Sequence, residues 1–249
     1  MSVLAPGREA IVVRTSRMDY RAAWEVQRSL VARRGAGEIP DVLWLLEHPP
    51  TFTTGRHGDR GDLLLDDAAL AERGGAFVRS DRGGQMTWHG PGQMTAYVIA
   101  DLRPGGRVRA FVDALVEAMR AAAGVADAHG DGRAVGLYVD GRKLGSVGIR
   151  VSEGISHHGV ALNRDPDLEW PRAMVGCGDP GVPPTSIAAE GGDPDRDRVE
   201  DAFVSALGEG LGWARLDAGD PDGLGIGAGP RPPPGAPPEV GCRGGQSPN

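Results

Sequence analysis

Lysine is almost absent from this chain. Of its 27 lysine and arginine residues, only Lys143 is lysine. An exposed lysine is readily exchanged for arginine, whereas a group that must lose its proton cannot be arginine, because guanidinium stays charged in proteins. Composition therefore leaves two interpretations of Lys143. It is either a surface residue that survived an arginine bias or an amine that exchanges a proton.

Cysteine is nearly as scarce, and long apolar runs are missing. Cys177 and Cys242 lie far apart and do not make a disulfide framework. No apolar run is long enough to span a membrane, and residues 1–10 lack the basic and apolar segments of a signal peptide. The net charge of −7 disfavours nonspecific nucleic-acid binding. We therefore expect a cytoplasmic protein that binds neither nucleic acid nor membrane.

The apolar content and its distribution predict one folded domain. The chain has 249 residues with 40% hydrophobic residues, which suffices for one large core. Near residue 218 the composition becomes rich in glycine and proline and loses its periodicity. We expect a folded domain at 1–217 and a disordered tail at 218–249.

Strand and helix patterns alternate along the predicted domain. Strands are predicted at 11–13, 41–47, 51–54, 76–79, 94–102 and 155–162. Helices are predicted at 19–34, within 62–73, at 107–123, and from Asp193-Pro194 to about residue 210. A hairpin joins 135–139 to 143–151 through Asp140-Gly141, which suits a type I′ turn. These elements predict an α+β fold with a mixed sheet.

The stretch 82–93 carries four glycines and a proline. This content predicts closely approached backbone rather than a packed element. Arg82 and exposed amides suit an anion, but the stretch lacks the Gly-Lys-Ser/Thr of a P-loop. On glycine content alone, an ordinary glycine-rich loop is the preferred interpretation.

Cys177 is the cysteine of the predicted folded part, and it lies between Gly176 and Gly178. Such a thiol is either a small buried hydrophobe or an accessible nucleophile with backbone amides beside it. An ammonium group near a thiol stabilises the thiolate. Lys143 is a candidate for that group.

The six histidines allow a competing pair. His89 or His158 would serve as the base for Cys177 in a Cys-His arrangement. No spacing typical of a zinc site occurs, so we expect no metal and no cofactor. His157 and His158 would point to opposite faces of a strand, so one of them at most would enter a given site.

The ordered motifs of residues 41–190 resemble the octanoyltransferase family of lipoate biosynthesis. The matching segments are Glu47-His48-Pro49-Pro50, Thr53-Thr54-Gly55, Arg82-Gly83-Gly84-Gln85, Thr87, His89-Gly90-Pro91-Gly92-Gln93, Lys143 with Ser146-Val147-Gly148, His158 to Asn163, Cys177-Gly178 and Thr185-Ser186. Two positions depart from the family, since Gly145 replaces its usual alanine and Trp88 its common tyrosine. Each departure would alter the acyl pocket without removing a reacting group.

The resemblance implies a fold, a reaction and a set of site residues. The fold is that of biotin and lipoate protein ligase catalytic domains, with a mixed sheet, a smaller sheet and flanking helices. Octanoyl moves from acyl carrier protein to a lysine of a lipoyl domain, with Cys177 acylated and Lys143 tuning it. The implied substrate-binding residues are Arg82, Gly83, Gly84, Gln85, Met86, Thr87, Trp88, His89, Ser146, Val147, Gly148, Gly159, Val160 and Ala161. Val147, Val160, Leu162 and Met174 are candidates for the apolar slot.

The resemblance also implies partners. The donor is octanoyl-acyl carrier protein, and the acceptors are the lipoyl domains of 2-oxoacid dehydrogenases and the glycine cleavage H protein. Arginine clusters could receive these acidic proteins, but we interpret them as ordinary surface charges apart from Arg82; they are Arg56/Arg60, Arg79/Arg82 and Arg103/Arg107/Arg109. We expect a monomer. The alternatives are an ATP-dependent lipoate or octanoate ligase, an amidotransferase between lipoyl domains, and an inactive acyl-protein binding module.

Overall fold

The computed structural model describes residues 3–4, 7–103, 107–125, 127–130, 135–175 and 182–227. Cys177 and Cys242 therefore lie outside the described residues. Within these ranges the chain forms two β-sheets with α-helices around them, which confirms the α+β class. No helix in this part of the chain has both the length and the apolar content needed to cross a bilayer.

The larger sheet has eight strands. Their spatial order is β11 (Trp213–Ala218), β1 (Arg8–Arg17), β2 (Asp41–Glu47), β6 (Gln93–Ile99), β10 (Ile155–Asn163), β9 (Arg142–Ser152), β8 (Gly136–Val139) and β7 (His129–Gly130). Strand β1 pairs in parallel with β11 and β2, and the other pairs are antiparallel. The predicted strands of this sheet are confirmed. The edge strands β7 and β11 were not predicted, because mostly exposed residues give them no apolar pattern.

Helices cover both faces of this sheet. Helix α1 (Tyr20–Gly35) packs Ala23 and Leu30 against β2, and Asp19 caps its first turn. On the opposite face, α3 (Val108–Ala123) and α5 (Arg196–Leu211) share one apolar core with the sheet. All three helices were predicted. Helix α5, however, begins at Arg196 with Asp195 as its cap, two residues later than the Asp193-Pro194 signal suggested.

The smaller sheet holds three strands, in the order β4 (Ala76–Arg79), β3 (Thr51–Thr54) and β5 (Met86–His89). The short helices α2 (Asp67–Glu72) and α4 (Glu169–Arg172) lie beside it. Strand β5 occupies the middle of the glycine-rich stretch, so the prediction that no packed element lies there is wrong. The reason is that Met86 and Trp88 alternate into the apolar core of this sheet.

The predicted tail begins too early. Leu224 and Ile226 are buried against α1 and β2, and Arg33 Nη1 donates to the Leu224 carbonyl at 3.2 Å. Residues 218–227 are therefore packed, contrary to the prediction. Two well-placed apolar side chains suffice to anchor a segment whose glycine content suggests disorder. The rest of the predicted tail, 228–249, lies outside the described residues.

Candidate functional site

Lys143 lies where the hairpin prediction placed it. Asp140 and Gly141 have φ values of 47° and 76°, as a type I′ turn requires, and Lys143 is the second residue of the return strand β9. Its N–H donates to the Pro183 carbonyl at 2.8 Å, and its carbonyl accepts from the Thr185 N–H at 2.9 Å. The backbone of Lys143 is therefore bonded to the segment that follows Cys177 in sequence.

A cleft of about 420 Å³ opens beside Lys143. This volume lies within the range of roughly 300–1,000 Å³ typical of ligand sites. The glycine-rich segment Arg82 to Thr87 forms one wall, and β9 from Ser146 to Ile149 forms another. Val112 of α3 and Val135 add apolar surface. The cleft thus joins an amine to an elongated apolar wall.

A second, much smaller cavity of about 20 Å³ lies deeper in the molecule. Its lining residues are Tyr20, Arg82, Thr87, His89, Thr95, Tyr97, Ser146, Gly148, His158, Gly159, Val160 and Ala161. Arg82, Thr87, Ser146 and Gly148 also line the larger cleft, so the two cavities adjoin. At this size the inner cavity holds about one water molecule.

The structure gathers nearly all of the predicted substrate-binding residues around these two cavities. Thirteen of the fourteen line one or both, and Trp88 is the exception. The Trp88 ring instead stacks on Trp170 at 6.4 Å within the core of the smaller sheet. Leu162 and Met174, suggested as liners of the apolar slot, likewise belong to apolar cores and to neither cavity.

Gly145 also lies away from the cavities. A Cβ at this position would meet Met119 Sδ at 2.8 Å, on the side of the sheet covered by α3. A side chain at residue 145 would therefore not contact the acyl pocket directly, contrary to the expectation. An alanine here would require the flexible Met119 side chain to shift.

Arg82 is buried in the floor of the site, with 5% of its surface exposed. Its Nε and Nη2 donate to Thr53 Oγ1 at 3.2 and 2.8 Å, and Nη2 also donates to the Thr53 carbonyl at 2.7 Å. Gly83 N–H donates to the Ile149 carbonyl, which ties the glycine-rich segment to β9. Arg82 is thus a lining residue of the cavities and not a receiver of a partner's surface.

Buried amides connect His89 to the backbone of Lys143. His89 Nδ1–H donates to Gln93 Oε1 at 3.0 Å, and Gln93 Nε2 donates to Asn163 Oδ1 at 2.9 Å. Asn163 Nδ2 then donates to the Thr185 carbonyl at 2.8 Å. Thr185 in turn donates its N–H to Lys143. We call this chain of hydrogen bonds the amide relay, and it joins four motifs that are separate in sequence.

The histidines considered as bases for Cys177 have other partners. His89 contacts Thr53 Oγ1 through Nε2 at 3.3 Å in addition to Gln93, and burial holds its pKa well below the usual value. His158 Nε2–H donates to Asp81 Oδ1 at 2.8 Å, and burial lowers the His158 pKa despite that carboxylate. Lys143 therefore remains the residue that lines the large cleft and carries an amine.

Two tyrosines that line the inner cavity, Tyr20 and Tyr97, were not predicted from the sequence, and His48 beside them was named only as part of a motif. Tyr97 O–H donates to His48 Nε2 at 2.8 Å, and His48 Nδ1–H donates to the Met18 carbonyl at 2.7 Å. Burial lowers the pKa of His48 to about 4 and raises the pKa of Tyr97 well above its usual value. The Tyr20 ring contacts the rings of both His48 and His89, and these two rings also contact each other. Tyr97 sits among apolar residues in sequence and Tyr20 lies at the start of a predicted helix, so neither stands out in a local pattern.

The pair His157-His158 breaks the alternation expected of a strand. His158 has a φ of 58°, and the two rings stack with centroids 4.8 Å apart. Both side chains therefore lie together, and the prediction that they face opposite sides is wrong. The His158 N–H donates to Gln27 Oε1 of α1 at 2.8 Å, which holds this left-handed conformation.

Comparison with known proteins agrees with this geometry. Residues 19–208 match the family described as the lipoyl protein ligase A/B catalytic domain. An octanoyltransferase of Alcanivorax borkumensis is 36% identical over 218 residues, which cover 86% of this chain and 85% of that protein. An octanoyltransferase of Alkalilimnicola ehrlichii is 42% identical over 188 residues, covering 74% and 84%.

Solved structures share the fold at lower identity. A crystal structure of lipoate-protein ligase A bound with ATP matches with a TM-score of 0.68 and 17% identity, covering 87% of this chain and 88% of that one. A bipartite lipoate protein ligase from Thermoplasma acidophilum matches with a TM-score of 0.66 and 15% identity, covering 86% of each chain. These matches confirm the predicted lipoate protein ligase-like fold.

Proposed function

Since this chain belongs to the lipoyl protein ligase A/B catalytic family and to its octanoyltransferases, we propose that it transfers octanoyl from acyl carrier protein to a lysine of lipoyl domains. The observation that carries the proposal is the position of Lys143 at the cleft, bonded through its backbone to the segment that follows Cys177. In this proposal Cys177 carries the acyl group and Lys143 exchanges the protons.

The cleft supports an acyl substrate. Val147 and Ile149 of β9 face Val112 of α3, and Met86 closes the same wall. An eight-carbon chain gains free energy when such a surface removes it from water, by about 0.8 kcal/mol per CH₂. We propose that the chain lies along this wall with its carbonyl toward Lys143.

In the first half of the reaction Lys143 accepts the proton of Cys177. The thiolate attacks the thioester carbonyl of the donor, a new thioester forms on Cys177, and the phosphopantetheine sulfur leaves. The Lys143 ammonium returns a proton to that sulfur. One thioester replaces another of similar energy, so no ATP is consumed.

In the second half the lysine of the lipoyl domain attacks the acyl-enzyme. Its ammonium must first lose a proton, and neutral Lys143 accepts it. The amide bond forms as the Cys177–acyl bond breaks, and the leaving sulfur takes up the second proton of the attacking nitrogen. Amide formation drives the reaction forward. A covalent intermediate of this kind gives ping-pong kinetics. Because each charge changes the pKa of the other group, Cys177 and Lys143 titrate as one coupled pair.

One exposed arginine lies beside the cleft, where an acidic protein partner would approach. Arg56 is exposed, and its neighbour His57 lines the cleft. Other members of the predicted clusters are paired with carboxylates instead, namely Arg60 with Asp67, Arg103 with Asp101 and Arg109 with Asp113. We propose that Arg56 contributes to partner approach, whereas the paired arginines act as ordinary surface charges.

Intact mass spectrometry with octanoyl-acyl carrier protein, without ATP, tests the proposal. We expect a mass gain of one octanoyl group that hydroxylamine removes. Cys177→Ser should lose this hydroxylamine-sensitive adduct, and Cys242→Ser, the matched control, should keep it. An adduct that needs ATP would indicate the ligase reaction instead. Full transfer by Cys177→Ser would exclude the thioester mechanism.

Substitution of Lys143 separates its charge from its proton transfer. Lys143→Arg keeps a positive charge near the thiol but cannot accept a proton. We expect partial acylation of Cys177 in this variant and a loss of transfer to the lipoyl domain of roughly 100-fold or more. Lys143→Met should lose both half-reactions. Single-turnover measurements of each half check this, and normal turnover by the arginine variant would refute proton exchange at Lys143.

A further inference from the structure

One cluster of ligand-type side chains lies outside the proposed dyad. Within the described residues, Asp81, His157 and His158 each offer one ligand atom, and these three atoms lie within 4.8 Å of one another. His157 is 4% exposed and His158 1% exposed. Two imidazoles and a carboxylate at this spacing form a ligand set that suits a transition metal.

The fold brings these groups together from two segments, and a third segment holds His158 in place. The left-handed residue His158 places both rings on one side of β10, and Gln27 of α1 fixes its N–H. Asp81 arrives from the loop after β4 and accepts from His158 Nε2. This arrangement puts a non-glycine residue into the left-handed conformation in the middle of a strand, which costs free energy.

Both rings keep an unsatisfied nitrogen. Nδ1 of His157 and Nδ1 of His158 are buried and have no hydrogen-bond partner within the described residues. Buried polar atoms are normally paired, so two such atoms in adjacent rings indicate a missing partner. His157 Nε2 lies 3.2 Å from Ser152 Oγ, which adds an oxygen donor next to the cluster.

We propose that Asp81, His157 and His158 bind one divalent transition-metal ion of the Zn²⁺ class. A solvent molecule or the Ser152 hydroxyl would complete the four-coordinate shell that zinc prefers. His158 also lines the inner cavity, so the ion would lie at the closed end of the substrate site. The nitrogen ligands select against Mg²⁺ and Ca²⁺, which take oxygen ligands.

The ion pair that Asp81 makes with Arg150 does not prevent Asp81 from binding an ion. Arg150 Nη1 donates to Asp81 Oδ2 at 2.8 Å, but the side chains of Arg150 and Asp81 are 37% and 27% exposed. Such an exposed ion pair is weak and opens at little cost. Asp81 Oδ1 already accepts from His158 Nε2, and Asp81 Oδ2 is the oxygen that becomes available when the pair with Arg150 opens. The proposal is independent of the acyl-transfer reaction, because metal binding is its readout.

Metal titration of the full chain tests the site. The protein is prepared without an affinity tag and carries Cys177→Ser and Cys242→Ser, since thiols bind these metals. Zn²⁺ binding is measured by calorimetry, Co²⁺ binding by its optical bands, and Mg²⁺ serves as the negative control. We expect one Zn²⁺ or Co²⁺ per chain and no saturable Mg²⁺ binding.

Two substitutions locate the ion. His157→Asn and Asp81→Asn should each weaken Zn²⁺ binding roughly tenfold or more. The matched control His129→Asn removes an exposed histidine of β7 and should bind as the parent does. If His157→Asn does not fold, Zn²⁺ binding by Asp81→Asn, a variant of a loop residue, tests the site by itself. No saturable binding, or unchanged binding in the substituted chains that fold, would overturn the proposal, as would binding only in the chain that retains its thiols.

Discussion

His48 shows how burial sets the protonation of single residues in this protein. The side chain is fully buried between Tyr97 and the Met18 carbonyl, and burial lowers its pKa from 6.5 to about 4. The folded protein therefore holds His48 neutral, while the unfolded chain takes up a proton below about pH 6.5. His48 thus stabilises the fold fully above that pH, and this contribution is lost as the pH falls toward 4.

The lowered pKa of His48 predicts that acid destabilises the folded protein. Between pH 7 and pH 5 the free energy of unfolding should fall by about 2 kcal/mol through His48 alone. Urea unfolding at the two pH values measures the difference. In His48→Gln the difference should shrink by about that amount, while His129→Gln, which removes an exposed histidine, should leave it unchanged. Part of the difference should remain in His48→Gln, because burial also lowers the pKa of His89, His157 and His158. An undiminished difference would show that His48 does not contribute to the acid sensitivity.

Asp81, which pairs with His158 of the inner cavity, also has a lowered pKa, but burial is not the cause. Burial raises its pKa, but the hydrogen bond and charge of His158 outweigh this effect and hold the pKa at about 2. Burial lowers the pKa of His157 to about 4. At neutral pH the cluster therefore contains a carboxylate and two neutral imidazoles. None of these protonation states follows from residue type alone, because each depends on a neighbour from another segment.

At the scale of elements, the amide relay links four motifs into one site. Gln93 begins β6, Asn163 ends β10, and Thr185 belongs to the irregular segment before α5. Strands β6 and β10 pair antiparallel with Gln93 opposite Asn163, which brings the two amides together. The relay therefore fixes the position of the segment that Lys143 contacts. Its parts were quoted from the sequence as separate motifs, but their connection depends on strand register.

Breaking the relay should reduce catalysis more than it disturbs the fold. Asn163→Leu keeps the side-chain volume but leaves the Gln93 amide and the Thr185 carbonyl without their partner. We expect kcat for octanoyl transfer to fall about tenfold or more because the reacting groups are misplaced. The backbone amide hydrogens of Lys143 and Thr185 should exchange with solvent faster than in the parent protein.

The matched control for this prediction is Thr185→Val. It removes the hydroxyl that contacts Glu190 and retains the backbone carbonyl that accepts from Asn163. In this variant kcat should be unchanged, and the Lys143 amide hydrogen should exchange as slowly as in the parent protein. Equal losses in both variants would show that the segment is sensitive to any change, and that the relay has no particular role.

At the scale of the whole molecule, the end of the described chain closes the core beneath α1. Leu224 and Ile226 are 6% and 0% exposed and pack with Leu30 and Trp44. The segment follows β11, which pairs with β1 at the edge of the large sheet. Residues 218–227 therefore belong to the folded unit, and the domain extends beyond the boundary that composition indicates.

Removal of one of these side chains should destabilise the protein globally. Ile226→Ala should lower the free energy of unfolding by about 2–5 kcal/mol, as expected for a fully buried residue. Leu216→Ala, in which the replaced side chain is 37% exposed, should change it by about 0.5 kcal/mol. Denaturant unfolding of the two variants checks this. A small, equal effect would mean that the segment contributes nothing to the core.

Much of the fold follows from local patterns. The central strands and the three long helices appear as apolar periodicity, and Asp140-Gly141 specifies its turn because both residues adopt a positive φ. The motifs around Lys143 also identified most residues that line the two cavities. Trp88, Leu162 and Met174 were misplaced because sequence order does not reveal which face of an element meets the cavity.

The sequence by itself determined the fold class, the hairpin that carries Lys143, and the family of the chain. Only the tertiary structure decided which of these residues meet. His157 and His158 share a side because Gln27, 131 positions from His158, holds a left-handed residue inside a strand. Asp81 joins them across 77 positions. Local sequence specifies the alternation of side chains along a strand and the residues of a turn. A buried hydrogen bond between distant segments can break that alternation at a single residue, as it does at His158.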